Sequence, residues 1–134
     1  MPLIYIVSDS QNLKNSVSSA IAGSNNELVE LSSGSELISL MENESPDLVI
    51  LDLQVGNMGA TAITLDIRLG EKANRINPTK VLVLLDRRAD VFMTRRSGAD
   101  GFVIKPLDSL KIKRAVKSVL ESGRYEDPAF EPAN

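Results

Sequence analysis

Neither histidine nor cysteine occurs anywhere in the 134 residues, and those two absences remove most common enzyme chemistries at once. A Ser-His-Asp triad, a cysteine nucleophile, a His/Cys zinc site, haem ligation by those residues and any disulfide are excluded. Chemistry in this chain must run on carboxylates, lysine, arginine and hydroxyls. Long apolar stretches are also missing. Runs such as Val81 to Leu85 fall far short of the roughly 20 residues that a membrane span needs, and Met1-Pro2-Leu3 lacks the positive start of a secretory signal. No charge dominates: 15 Lys and Arg against 18 Asp and Glu leave a net −3, which gives no electrostatic case for general nucleic-acid or anionic-membrane binding. The expectation is a soluble, cytoplasmic protein with no direct DNA binding and no membrane association, a compartment that the absence of cysteine permits.

What is present, 43% hydrophobic and 25% charged residues, suits one globular domain with a single core. Short apolar, β-branched runs at Leu3–Val7, Leu28–Leu31, Leu48–Leu51, Val81–Leu85 and Phe102–Ile104 read as strands buried on both faces. Between them lie segments with helical spacing. Leu13, Val17, Ala20 and Ile21 precede Gly23; Leu37, Ile38, Leu40 and Met41 precede Asn43; Ile63 and Ile67 precede Gly70, each ending at a candidate C-cap. A shorter helix is expected from Asp90 to Ser97. The last has Ile112, Ala115, Val116, Val119 and Leu120 as its inner face. Ser10, Ser33 (in the capping box Ser33-Gly34-Ser35-Glu36) and Asp108 are the expected N-caps. Five alternations of strand and helix predict a parallel α/β sheet covered by helices on both faces, a three-layer α/β/α domain over residues 1–123. Residues 124–134, with two prolines and three acids among them, are expected to be a disordered tail.

Ligands of such open sheets bind at the carboxyl ends of the strands. Those ends read Val7-Ser8-Asp9-Ser10, Ile50-Leu51-Asp52-Leu53, Leu84-Leu85-Asp86 and Val103-Ile104-Lys105-Pro106. Three acids and a lysine thus share one edge. Carboxylate oxygens suit magnesium, a lysine beside them can balance a phosphoryl group, and a carboxylate can itself accept one. Taken singly, each acid is more commonly a helix cap or turn residue, and Lys105 before Pro106 is equally a solvated turn charge. The set is more specific than its members.

On these residues the chain resembles the receiver domain of bacterial two-component response regulators, over residues 2–122. The matching pieces are Ile6-Val7-Ser8-Asp9-Ser10, Asp47-Leu48-Val49-Ile50-Leu51-Asp52 and Gly98-Ala99-Asp100-Gly101-Phe102-Val103-Ile104-Lys105-Pro106-Leu107-Asp108. The resemblance implies a doubly wound, flavodoxin-like five-stranded sheet of order 2-1-3-4-5. It implies Asp52 as phosphoacceptor, Lys105 as phosphate-binding lysine, and Asp9, Asp52 and a backbone carbonyl of Gln54 as magnesium ligands. It also implies Phe102 as the aromatic that changes rotamer on phosphorylation, and a histidine kinase, phosphotransfer protein or small phosphodonor as the source of the phosphoryl group.

Departures from that family's pattern all fall in the pocket. Ser8 replaces the first acid of the metal pair, so magnesium is expected to bind weakly. At the position where the family has Thr or Ser, the strand offers Leu85 or, shifted by one, Asp86. Leucine has no donor, and an ionised aspartate about 4 Å from a phosphoryl charge would repel it by roughly 4 kcal/mol at an effective dielectric near 20. The fourth helix or its loop is about two residues shorter than the family's. The stretch Val55-Gly56-Asn57-Met58-Gly59-Ala60 carries two glycines where the family has a Met-Pro pair, which predicts a more mobile loop. Arg87 and Arg88 can supply phosphoryl donors, pair with Asp86 or face solvent.

Two functions follow: a single-domain response regulator phosphorylated on Asp52 that acts through protein contacts, or a pseudo-receiver interaction module that phosphate does not regulate. A phosphohydrolase is disfavoured because Gln54 stands where such enzymes place a second carboxylate, so the chain is not expected to be an enzyme. FMN binding lacks a hydroxyl-rich phosphate loop after the first strand. With no output domain after the last helix, a target protein or homodimer is the expected outlet. Arg95, Arg96, Lys111, Lys113, Arg114 and Lys117 are the candidate contact residues, or else a solvated basic face.

Overall fold

The apolar runs that mark strands in the sequence lie side by side in parallel, and the alternation of their side chains decides which helices cover which face. The computed structural model describes residues 1–52, 54–55 and 58–130. In chain order the elements are β1 (Leu3–Val7), α1 (Gln11–Ile21), β2 (Glu27–Leu31), α2 (Gly34–Met41), β3 (Leu48–Asp52), β4 (Gln54–Val55), β5 (Met58–Gly59), α3 (Ala60–Lys72), β6 (Lys80–Leu85), α4 (Val91–Arg96), β7 (Gly101–Ile104), α5 (Ser109–Ser122) and β8 (Tyr125–Glu126). The main sheet has the order β2-β1-β3-β6-β7-β8, parallel throughout. It contains the expected 2-1-3-4-5 arrangement with one strand added at the outer edge. β4 and β5 form a separate antiparallel ribbon.

Successive strand residues point to opposite faces. Tyr5, Val7, Val49, Leu51, Val81, Val83, Leu85, Phe102 and Ile104 therefore pack with α2, α3 and α4 residues such as Leu37, Ile63, Ile67 and Val91. Their neighbours Ile4, Ile6, Leu48, Ile50, Leu82, Leu84 and Val103 pack on α1 and α5, against Val17, Ile21, Ile112, Val116 and Val119. Each such side chain, fully buried, contributes about 1.5–3 kcal/mol, so both helical layers are held by the sheet rather than by one another.

The N-caps form as the sequence predicts, while α1 and α2 close at Ala22 and Glu42, one residue before the expected Gly23 and Asn43. Ser10 Oγ accepts from Leu13 N at 3.2 Å, Ser33 Oγ from Glu36 N at 3.2 Å and Asp108 Oδ1 from Lys111 N at 2.8 Å. The fourth helix is short, with a 3₁₀ turn at Arg88–Asp90 leading into it.

Two further expectations are corrected. Gly70 does not end α3, which continues to Lys72; a Cβ at Gly70 would lie 2.6 Å from Ile76 Cδ1, so the glycine makes room for packing instead of closing the helix. The second correction concerns the C-terminus. Residues 125–130, expected to be loose, form β8 and a 3₁₀ turn at Pro128–Phe130. Composition marked the segment as too polar to bury, but the edge of β7 supplies its backbone partners and Asp127, only 1% exposed, accepts from buried donors. The expectation of a mobile loop over Val55–Ala60 falls in part on Gly56 and Asn57, which lie outside the described residues.

Candidate functional site

A parallel sheet gathers the carboxyl ends of all its main strands on one edge, so β1, β3, β6 and β7 deliver Ser8, Asp52, Asp86 and Lys105 to one place. Asp52 is the last residue of β3, its side chain 10% exposed. Lys105 follows β7 directly, and its Nζ lies 2.7 Å from Asp52 Oδ1 and 3.0 Å from Asp86 Oδ1. The Lys105–Pro106 peptide bond is cis. Ser8, fully buried, donates from Oγ to Asp52 Oδ2 at 3.0 Å and accepts from Ser10 N at 3.0 Å. Both carboxylate oxygens of Asp52 thus already hold a donor, which is the condition for burying an anion at tolerable cost.

Burial pulls the Lys105 ammonium toward the neutral form, but the hydrogen bonds and charges of Asp52 and Asp86 prevail and hold its pKa above the ordinary lysine value. The ammonium is therefore charged at any physiological pH. One cation faces two anions, and the group carries a net negative charge before any phosphoryl group arrives.

The structure separates Leu85 from Asp86. Leu85 closes β6, fully buried, in the same apolar layer as Phe102. Asp86 is the first residue beyond the strand, its side chain 51% exposed, and it turns toward the lysine. Strand parity explains the split: Leu84 shares its face with Val103 and Leu85 shares its face with Ile104, so residue 86 returns to the side on which Asp52 and Lys105 stand. Neither position offers a hydroxyl.

Asp9 is exposed on the turn after Ser8. Gln54 begins β4, and its side chain lies outside the described residues. Among the described residues no group of three or more acidic side chains comes together as a metal cage. The donor set fits a hard divalent cation only loosely: two carboxylates, one of them already hydrogen-bonded on both oxygens, with water left to fill the remaining positions.

Arg87 pairs with Asp90 at 3.2 Å, and Asp86 is engaged by Lys105. Of the basic residues proposed as a contact face, Arg95 and Lys111 are used within the chain, on Glu126 at 2.7 Å and Asp127 at 3.1 Å. The Arg96 guanidinium sits 5.6 Å from the centre of the exposed Phe92 ring, while Lys113, Arg114 and Lys117 are exposed along α5. Phe102 is buried, with the Arg95 guanidinium 5.9 Å from its ring centre.

Sequence reasoning missed Glu126 and Asp127, although Asp127-Pro128 is a turn-initiating pair and Asp127 Oδ1 accepts from Ala129 N at 2.9 Å. It also missed Arg68. That side chain donates to Gly98 O at 3.0 Å, Thr79 O at 2.9 Å and Asp100 Oδ2 at 2.7 Å, and so ties α3 to the base of β6 and β7. No helix of the described residues is long and apolar enough to cross a membrane.

Comparison with known proteins places the chain in a family. The family model for the response regulator receiver domain matches residues 4–117. The transcriptional regulatory protein AfsQ1 of Streptomyces coelicolor is 22% identical over 126 residues, which is 94% of this chain and 54% of that protein. The alkaline phosphatase synthesis transcriptional regulatory protein PhoP of Bacillus subtilis is 23% identical over 131 residues, 98% of this chain and 53% of that protein. The chain therefore spans about half the length of these curated relatives. Among solved structures, the chemotaxis response regulator CheY4 of Vibrio cholerae superposes with a TM-score of 0.80 at 20% identity, covering 90% of this chain and 99% of that one. With a family model matched from β1 into α5 and the doubly wound fold that this implies, the chain belongs to the response regulator receiver domain family.

Proposed function

We propose that this receiver accepts a phosphoryl group on Asp52 and passes the signal on through protein contacts. The observation that supports it is the Lys105 ammonium on Asp52 Oδ1 at 2.7 Å, at the open end of the sheet. In the transfer, an Asp52 carboxylate oxygen forms a bond to phosphorus as the donor's bond to phosphorus breaks. The donor, a histidine kinase or phosphotransfer protein, leaves with the electron pair of the broken bond. Lys105 then balances the new phosphoryl oxygens in place of the carboxylate charge. Magnesium, when bound, supplies further positive charge to those oxygens; Asp9 and Asp52 would hold it weakly, since Ser8 brings no charge.

Two features slow this reaction. Ser8 must release Oδ2 before both carboxylate oxygens are available, and Asp86 opposes the incoming negative charge. Leu85 offers no hydroxyl to draw the following loop toward the phosphoryl group. These same features support a second reading, a pseudo-receiver whose pocket is satisfied by Ser8 and Lys105 and whose conformation a partner sets.

Incubation with magnesium and a small acyl phosphate, followed by intact-mass analysis, separates the two. A gain of one phosphoryl group in the native chain but not in Asp52→Asn supports the acceptor. Absence of any Asp52-dependent adduct, together with backbone amide shifts unchanged by beryllium fluoride, leaves the pseudo-receiver.

A further inference from the structure

α1 and α5 pack side by side on one face of the sheet, and both run from its carboxyl edge to the opposite edge, but α1 has 11 residues and α5 has 14. With a rise of about 1.5 Å per residue, α5 outreaches α1 by about 4–5 Å. The apolar flank that its last turn would lay against a longer α1 is left open. Ile21 at the end of α1, Val116 and Leu120 of α5, and Met1 and Pro2 at the entry to β1 line a groove of about 520 Å³ there. Small-molecule sites occupy roughly 300–1,000 Å³ and are mostly apolar, with a few polar groups that fix orientation. Ile21 and Val116 are buried, so the floor belongs to the core and is built whether or not anything occupies the groove.

The rim is cationic. Lys113 and Lys117, one turn apart on α5, border the groove and are exposed. Among the described residues neither enters an ion pair, unlike Lys111 of the same helix, which is held by Asp127 at 3.1 Å. Glu121, a turn beyond Lys117, also borders the groove without pairing with either lysine, so the rim carries two positive charges against one negative. Asn25, left-handed at a φ of 59°, brings a side-chain amide to the opposite wall. The Asn26 amide is engaged, donating to Ile21 O at 3.2 Å. An apolar floor below two uncommitted ammonium groups matches a molecule with an apolar tail and an anionic head.

We propose that this groove binds a free amphipathic carboxylate of the fatty-acid class, its tail on Ile21, Val116 and Leu120 and its head between Lys113 and Lys117. The free molecule is favoured over the same chemistry in a bilayer. Electrostatic attraction to a membrane takes about four to eight clustered basic residues, whereas this rim has two in a chain of net charge −3. The groove lies at the edge of the sheet opposite Asp52, so the inference stands whether or not Asp52 is phosphorylated.

The test is a titration of the full, isotope-labelled chain with sodium decanoate below its micelle concentration, followed by backbone amide shifts. Saturable shifts are expected at Ile21, Asn25, Val116 and Leu120. Affinity should rise about three- to fourfold for each methylene added from hexanoate to decanoate, the factor that one buried methylene represents. The double variant Lys113→Gln, Lys117→Gln changes only exposed positions and should bind decanoate about tenfold more weakly. Decyltrimethylammonium, with the same tail and a cationic head, should not shift these amides. Absence of saturation, shifts centred elsewhere, affinity independent of tail length, equal binding by the double variant or equal binding of the cationic amphiphile each overturns the proposal. Co-sedimentation of the native chain with phosphatidylglycerol vesicles, lost in the double variant, assigns the groove to a bilayer and overturns it as well.

Discussion

Replacing Ser8 with aspartate puts the electrostatics of the pocket to a direct test. Ser8 is fully buried and its Oγ stands 3.0 Å from Asp52 Oδ2. An aspartate there keeps an acceptor for Ser10 N but cannot donate to Asp52 when ionised. The two carboxylates would lie within about 4 Å, where like charges repel by about 4 kcal/mol at an effective dielectric near 20. Protonating one of them at neutral pH, about three units above its ordinary pKa, costs a similar amount, about 4 kcal/mol. Lys105 is already shared between Asp52 and Asp86 and gives no further neutralisation. Relaxation toward solvent at the open edge reduces the penalty, so Ser8→Asp should lose about 2–4 kcal/mol of stability, roughly 10 °C in Tm for a chain of this size. Denaturation in urea and by heat, followed by far-UV circular dichroism in a chelator, measures it. Millimolar magnesium should recover most of the loss in Ser8→Asp and add little to the native chain. Ser8→Asn, which matches the shape and keeps a donor, should stay close to native. If Ser8→Asp is as stable as the native chain without divalent cation, or if Ser8→Asn falls equally far, charge is not what Ser8 manages and the reasoning fails.

Asp86→Asn should raise the rate of Asp52 labelling by acyl phosphate a few-fold, worth about 1 kcal/mol at a half-exposed site, and the gain should shrink in high salt; an unchanged or slower rate contradicts the repulsion assigned to Asp86. Leu85→Thr removes buried apolar volume and brings a hydroxyl into the layer beside Phe102, so urea unfolding should show a loss of about 2–3 kcal/mol. Arg68→Ala breaks three bonds between α3 and the base of the sheet and should cost about 2–4 kcal/mol in the same assay, with Asp52 labelling unchanged. The Asp127 carboxyl is a pH handle. Burial opposes its charge, but bonds from Ile104 N, Ala129 N and Lys111 prevail and lower its pKa. A depressed acid stabilises the fold fully above its unfolded value, near 4, and loses that contribution as pH falls through the folded value. Protection of the Ile104 amide should therefore fall reversibly below about pH 4, and this acid-dependent part should be missing in Asp127→Asn.

Local rules made much of this protein legible before folding. Strand runs bounded by turn signals, helical spacing and three capping residues specify elements whose order admits a parallel three-layer sheet. Parallel pairing then forces Asp52, Asp86 and Lys105 to one edge. Each of those inferences depends on neighbours a few residues apart. The readings that failed depended on distant ones. Gly70 has the form of a helix stop until Ile76 packs across it, and Leu85 and Asp86 are indistinguishable as strand-end residues until β6 is set in register with β7. The hydroxyl of Ser8 lies 44 positions from the carboxylate it holds, and Asp127 lies 23 from the amide that buries it. The sequence by itself determined which layers form and which charges gather at the strand ends, because side-chain alternation and helical periodicity are properties of the local chain. Only the tertiary structure decided that Asp52 is satisfied on both oxygens, that Asp86 shares its lysine and that the C-terminal segment completes the sheet, because a hydrogen bond between remote residues exists only once the backbone has brought them together.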